Sequence, residues 1–408
     1  MKINYRPEID GLRAIAVFAV ILYHAELSLF GQNIFKGGFI GVDVFFVISG
    51  YLITSLILNE INKKGSFSFS NFYERRIRRL LPILLVVMCV SLPFAWINLL
   101  PIAFVDYAKS LISSILFSSN FYFHLAGQEY SAESSLLKPF LHTWSLSVEE
   151  QFYILYPLTL LICLKFFKKY ITIILVVGFL ISLQLADWSS KSFPSLSFYI
   201  LPTRGWELIA GALLAKLEID YGRVKQKYVS EGLSILGISL ICCSIFYFHE
   251  EMYHPSYYTL VPIVGTALIV WYTHKNQFLT DILSSKFFVW LGLLSYSLYM
   301  WHYPIFAFAR IKNPTPSSYD KFEYIILILL LSILFHFLVE RPFRNKKIIS
   351  KNFLAIFVLL LSLFLIFFST ITIRQNGFDE RLRVFLKKEL KVNPWEKLSD
   401  ENGLCFDR

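Results

Sequence analysis

Arg13 and His24 lie eleven residues apart in the apolar run YRPEIDGLRAIAVFAVILYH, residues 5–24. At about 100° per residue, this spacing puts both on one helical face, roughly 16 Å apart along the axis. The expected depths are mid-membrane for His24 and the cytoplasmic rim for Arg13. Such a histidine is either a buried ring bonded to a neighbouring helix or a working base, and ionisable residues in mid-membrane are functional by default. A second run, FLHTWSLSVEEQFYILYP (140–157), packs His142, Ser145, Ser147, Glu149, Glu150 and Gln151 into ten residues. An ionised group at the bilayer centre costs on the order of 3 kcal/mol unless it faces a polar interior. On a helix, His142, Ser145 and Glu149 share one face, while Thr143, Ser147, Glu150 and Gln151 share another. Two polar faces suit a helix that lines a cavity and also holds its neighbours. A self-contained Ser-His-Glu triad is disfavoured, because side chains two turns apart on one helix project in parallel.

Further polar groups fall at similar depth. Asp43 opens GVDVFFVISGYLI (41–53), where Gly41, Ser49 and Gly50 permit close helix approach. Arg204 and Glu207 open RGWELIAGALLA (204–215), and Ser295, Tyr299 and His302 share a face in SYSLYMWHYP (295–304). Arg204 with a glutamate is the pair most readily explained as structural. Together these residues imply a hydrated, charged pocket open to the outer leaflet. FYERRIRRLLP (72–82) holds Arg75, Arg76, Arg78 and Arg79 at a helix start. Positive charge there is common for reasons of topology, yet four arginines oppose the helix dipole. They also suit phosphate, which guanidinium binds in bidentate fashion, and Arg76 and Arg79 can grip one anion together.

The elements that position these residues are membrane helices. Of 408 residues, 56% are hydrophobic and only 17% charged, below the quarter charged that is typical of soluble domains. Apolar runs approach the ~20 residues that a bilayer core requires. Eleven spans are expected, near 13–30, 39–58, 80–100, 142–163, 170–187, 203–217, 231–248, 257–274, 287–308, 322–339 and 353–373. Glu8 and Asp10 in the head of the first run argue against a cleaved signal peptide. A twelfth candidate, 104–124, contains Asp106 and Lys109. If it does not cross, one set of loops holds 23 Lys and Arg and the other seven; if it crosses, the asymmetry reverses after residue 140. The positive-inside rule therefore lays 104–124 on, or dipping into, the outer face and puts the N-terminus in the cytoplasm. Cys89, Cys163, Cys242 and Cys243 fall in apolar runs as small packed thiols. Cys405 alone is in a polar segment, with an expected disulfide partner beyond residue 408. No cysteine pair has metal-ligand spacing, and no internal repeat is present.

The motifs YRPEIDGLRAIAVFAVILYH, GGFIGVDVFFVISGYLI (37–53), FYERRIRRLLP, HTWSLSVEEQFY (142–153) and YSLYMWHYP (296–304) closely resemble the acyltransferase family three membrane proteins over residues 5–345. The resemblance implies an all-α polytopic membrane protein: a ten-helix acyltransferase bundle (1–345), an eleventh transmembrane helix (346–373) and an extracytoplasmic linker (374–408). It implies an O-acetyltransferase that takes acetyl groups from cytoplasmic acetyl-coenzyme A. The acceptor it implies is a cell-surface polysaccharide such as lipopolysaccharide O-antigen, and the location it implies for the protein is the inner membrane of a bacterium. The implied partners are that glycan, the lipid bilayer and a C-terminal SGNH-type domain, with no metal and no nucleic acid. The family's arginine-to-histidine motif falls on Arg13 and His24, its arginine pair on Arg76 and Arg79, and its WSL-VEEQF motif on Trp144 to Phe152. His24 is then expected as general base, with Arg76, Arg79 and the adjacent Arg75 on the donor's phosphates. Glu149 or Glu150 either orients the imidazole or, with His302, completes the acceptor pocket. Asp43, Trp144, Ser147, Arg204, Glu207 and Tyr299 are expected around the substrate. A proton-coupled transporter is the competing class, but it calls for inverted repeats. A non-catalytic anchor has no need of the arginines.

Overall fold

Proline at the first helical position and two carboxylates in the first turn start helix α1, Pro7–Ala25, both favourable at a helix N-terminus. Glu8 pairs with Arg6 at 2.8 Å and Asp10 with Arg13 at 3.3 Å. The helix stops at Glu26, in the left-handed region (φ 50). Arg310 donates to the His24 carbonyl and Lys321 to the Glu26 carbonyl, satisfying the orphan acceptors of the last turn. A short antiparallel pairing, Ser28–Leu29 with Gln32–Asn33, follows. The computed structural model describes residues 5–29, 32–128, 134–224 and 226–381, so Cys405 and most of the polar tail lie outside it.

The expected first span, 13–30, is therefore displaced. Its helix begins six residues earlier and ends five earlier, because Pro7 can start a helix and Glu26 ends one. Arg13 sits two turns inside α1 rather than at its rim, and His24 is in the last turn rather than at the middle.

The remaining expected spans correspond to α2 (Gly41–Lys64), α3 (Phe69–Asn98), α6 (Thr143–Phe166), α7 (Ile171–Ser192), α9 (Leu201–Tyr221), α10 (Lys227–Tyr247), α11 (Leu260–Tyr272), α13 (Lys286–Lys312), α14 (Ser318–Phe335) and α16 (Lys351–Arg374). Among the described residues, six helical stretches are long and apolar enough to cross a membrane by length and composition. The others are shorter, or carry the charged residues of the site. Polar helix starts are capped by side chains: Ser68 for α3, Ser317 with Asp320 for α14 and Ser350 for α16. The protein is an all-α polytopic membrane protein, with α1 and α2 at its centre. α1 packs on α13 and α2, and α2 packs on α9, α11 and α6. α14 and α16 show mainly apolar surface; only 11% and 17% of their most apolar stretches are buried. Cys243 is likewise exposed rather than packed.

Residues 104–124 form two helices, α4 (Pro101–Ile115) and α5 (Ser119–Ala126), broken at Phe117 (φ 51). α4 starts where α3 and α16 end, with the Phe104 ring beside Phe368. It descends until Phe117 accepts from Gln151, two turns into α6. α5 then climbs back, bringing His124 to Ser195 beyond the end of α7, at 3.0 Å. The segment dips in and returns to the same end of the bundle, as the charge asymmetry requires. Below, the near end is the one where α1 begins and the far end the one where it stops. α8 (Pro194–Tyr199), α12 (Phe278–Leu283) and α15 (Arg341–Arg344) complete the order.

Glycine makes the central contact possible. A Cβ on Gly50 of α2 would lie 1.8 Å from the Leu208 carbonyl oxygen of α9, and one on Gly211 of α9 would lie 2.0 Å from that of Val47. Gly50→Ala or Gly211→Ala should therefore push the two backbones apart. Each is expected to destabilise by about 1–3 kcal/mol or more, read as a lower melting temperature of the detergent-purified protein.

Candidate active site

The two faces expected of α6 are present, and each has a separate use. Thr143, Ser147 and Gln151 bind the dipping segment: Thr143 lies 2.7 Å from Ser114, Ser147 lies 2.7 Å from Ser119, and Gln151 donates to Phe117 and Asn120 at 2.9 Å. Ser147 is thus a structural contact and not part of a pocket wall. Ser145 and Glu149 face a narrow cavity of ≈ 70 Å³ at the near half of the bundle. Ser49 of α2 and Tyr153, one turn on from Glu149, both donate to Oε1 of Glu149.

Arg13, Arg76 and Arg79 line the same cavity. Arg76 is only 9% exposed and lies over the rings of Tyr153 (5.3 Å) and Phe72 (5.8 Å); its Nε has no partner. Among the described residues, no carboxylate lies within 4.0 Å of Arg76 or Arg79. The other two arginines of the run have structural roles. Arg75 pairs with Glu60 at 3.6 Å and is not among the residues that line the cavity. Arg78 binds Glu74 and the carbonyls of Phe343 and Ile349. The helical period decides this division, since Arg76 and Arg79 share a face.

At the far end three histidines converge: His24 of α1, His142 at the start of α6 and His302 of α13. The rings of His24 and His302 are 5.5 Å apart, and those of His142 and His302 5.3 Å. His302 is fully buried, and its Nδ1 lies 2.5 Å from the Tyr299 carbonyl oxygen. A carbonyl only accepts, so Nδ1 carries the proton and Nε2 keeps its lone pair. That Nε2 and both ring nitrogens of His142 are buried without partners. His24 lies in the wall of a cavity of ≈ 700 Å³, lined also by His142, Trp144, Arg204 and Tyr303, and of a second of ≈ 400 Å³ beside Arg310 and Lys321. The near cavity and the larger far one share Val42 and Tyr299 in their walls. Tyr299 stands between them, its hydroxyl 2.6 Å from Ser145 and bonded to the His142 carbonyl.

The glutamates stand apart from this cluster. Neither Glu149 nor Glu150 hydrogen-bonds a histidine: Glu149 is held in the arginine cavity, and Glu150 is buried beside it with Oε1 unpartnered. α6 starts at the histidines and descends, so two turns carry Glu149 below Tyr299. Arg204 is 1% exposed, 2.6 Å from Asp43 and 3.2 Å from Glu207, with its guanidinium over the Trp144 and Phe46 rings at 5.4 Å. Asp43 and Glu207 are both fully buried and line neither cavity; they fix Arg204 in place. His254 joins them, 2.8 Å from Arg204 and 3.4 Å from Asp43. The sequence carries no signal for His254, which reaches the cluster from a loop. Tyr153 did have one, since i and i+4 positions meet on a helix.

The site is thus a helical membrane bundle in which a cavity lined by three arginines adjoins a larger one lined by His24 and His142. The chain belongs to the acyltransferase family: the family's acyltransferase domain matches residues 6–341. It is 32% identical to the peptidoglycan O-acetyltransferase OatA of Listeria monocytogenes over 363 residues, 85% of this chain and 57% of that protein. It is 31% identical to the O-acetyltransferase OatA of Staphylococcus aureus over 369 residues, 86% of this chain and 59% of that one. The chain thus spans under two thirds of the length of these curated relatives. No solved structure matches it.

Removing a partner from a buried ion pair costs about 3–5 kcal/mol. Arg204→Met leaves Asp43 and Glu207 buried without their cation and should sharply lower the melting temperature and the folded yield in size-exclusion chromatography. Arg75→Ala, at an exposed pair, should change neither.

Proposed function

We propose that the protein is an O-acetyltransferase, moving an acetyl group from cytoplasmic acetyl-coenzyme A at the near end to a hydroxyl of a cell-surface glycan at the far end. The observation that carries this is the shared wall: the arginine cavity and the histidine cavity meet at Tyr299. The excess of Lys and Arg in the near-end loops supports a cytoplasmic near end. Arg76 and Arg79 hold the donor's phosphates, and the thioester arm threads past Ser49 and Tyr299. The arm must cover about 16 Å, the rise from Arg13 to His24 along α1.

His24 acts as general base at the acceptor hydroxyl. The hydroxyl oxygen attacks the thioester carbonyl carbon, the C–O bond forms and the C–S bond breaks. The proton passes through the imidazole to the leaving sulfur, giving the acetyl ester and free coenzyme A. His142 lines the acceptor side of this step, and His302 packs against both His24 and His142. Glu149, held by Ser49 and Tyr153, serves the arginine end, a different place from the acceptor pocket expected of it. Peptidoglycan, the polymer named for the Listeria relative, favours a cell-wall glycan over the lipopolysaccharide taken as an example from the resemblance. The location that follows is the cytoplasmic membrane of a bacterium.

Purified protein given radiolabelled acetyl-coenzyme A and a glycan acceptor should release coenzyme A and label the glycan; no transfer refutes the enzyme reading. His24→Ala should insert and still bind acetyl-coenzyme A, while turnover falls by about 10²–10⁴. Near-wild-type turnover in that variant moves the base elsewhere. Arg76→Ala and Arg79→Ala should each weaken acetyl-coenzyme A binding roughly ten- to a hundredfold by calorimetry, with Lys restoring only part.

A further inference from the structure

The rod that runs from Ser318 to Arg344 changes from α to π over His336–Glu340 before α15 ends it. Such π turns recur at functional sites. Here the change buries Glu340 at 2% exposure. Its carboxylate accepts from Ser297 at 2.6 Å and lies 3.0 Å from both His336 and Arg344. Ser297 follows Tyr296, which lines the arginine cavity and donates to the Leu80 carbonyl of α3 at 2.8 Å. The chain around Arg344 is also tied to α3. Arg78, which lies between Arg76 and Arg79, donates to the Phe343 carbonyl at 3.1 Å, and Lys346 binds Glu74 at 3.0 Å. These ties bring the segment that carries Arg344 against the start of α3, at the arginine end of the bundle.

Arg13, Arg76 and Arg79 thus share one cavity, and Arg344 on α15 stands at the same end of the bundle. Like charges repel, and holding them together is unfavourable unless anions offset them. Asp10 answers Arg13 and Glu340 answers Arg344, but no carboxylate within 4.0 Å answers Arg76 or Arg79 among the described residues. A ligand with several phosphates is the chemistry that suits such a set.

We infer that Arg344 is a phosphate ligand of the donor, presented by the π turn from across the mouth and completing a clamp with Arg13, Arg76 and Arg79. The inference rests on the coenzyme A reading above. It goes further in assigning a third wall to the clamp, and so a preference for a donor with phosphates at separated positions. Anionic lipid headgroups share the same chemistry and are the other source of phosphate at this depth.

The test is calorimetric titration of the full chain with coenzyme A in phosphatidylcholine nanodiscs. Arg344→Ala should weaken binding about ten- to a hundredfold. Arg344→Lys keeps a cation for Glu340, and with it the fold, but loses the bidentate fork; it should weaken binding by a smaller factor. Lys169→Ala, an exposed cation at the near end, should leave affinity unchanged. Wild-type affinity in a folded Arg344→Ala protein overturns the inference, and so does wild-type affinity in Arg344→Lys should the alanine variant not fold. No binding by the wild type overturns the donor assignment itself, a separate result from equal binding by wild type and variant. In a second arm, nanodiscs contain phosphatidylglycerol and co-purified lipid is weighed by mass spectrometry. Loss of that lipid in Arg344→Ala with unchanged coenzyme A affinity assigns Arg344 to a headgroup and overturns the proposal.

Discussion

The close approach of α2 to α9 is the contact on which the rest of the site depends. Gly50 and Gly211 let backbone meet backbone, and no side chain fits between them. With α2 set there, Asp43 reaches Arg204 on α9, and the pair is shielded under the rings of Phe46 and Trp144. Ser49, next to Gly50, is turned the other way and meets Glu149 on α6. One helix thus anchors a buried ion cluster on one side and closes the arginine cavity on the other. In a bilayer, helix association has little hydrophobic driving force, so small-residue packing and interhelical polar contacts must supply it.

Polar groups inside this bundle divide into two populations. Some, such as Arg204, Asp43, Arg78, Thr143 and Ser147, make side-chain contacts that join helices to one another. Others, Arg76 and His142 among them, line a cavity and keep a buried nitrogen without a partner. Buried polar atoms without partners are costly, so native proteins keep few of them. Arg13, Arg76 and Arg79 line the near cavity and His24 and His142 the far one, with Tyr299 in the wall of both.

Much of this was already legible in the sequence. Apolar run length marks eleven helices, and each is present. The loop charge balance shows that 104–124 does not cross, and α4 and α5 do dip and return. Helical period predicts both faces of α6 and pairs Arg76 with Arg79, because these properties are local to one helix. The end of α1 was misplaced because its stop is set by Glu26 and by Arg310, which comes from another helix.

Tertiary structure alone decided which polar residues meet. Sequence types put Glu149 with the histidines, yet the descent of α6 carries it to the arginines, where Ser49 receives it. Arg75 and Arg76 are neighbours in sequence, but one faces Glu60 and the other the cavity. His254 and Arg344 had no motif to mark them; a loop and a π turn bring them to clusters built by other helices. The amino-acid sequence by itself determined the helices, their faces and the family, since periodicity and apolar length act within about twenty residues. The pairing of charges acts across hundreds of residues and depends on helix depth and rotation, which only the packed bundle sets.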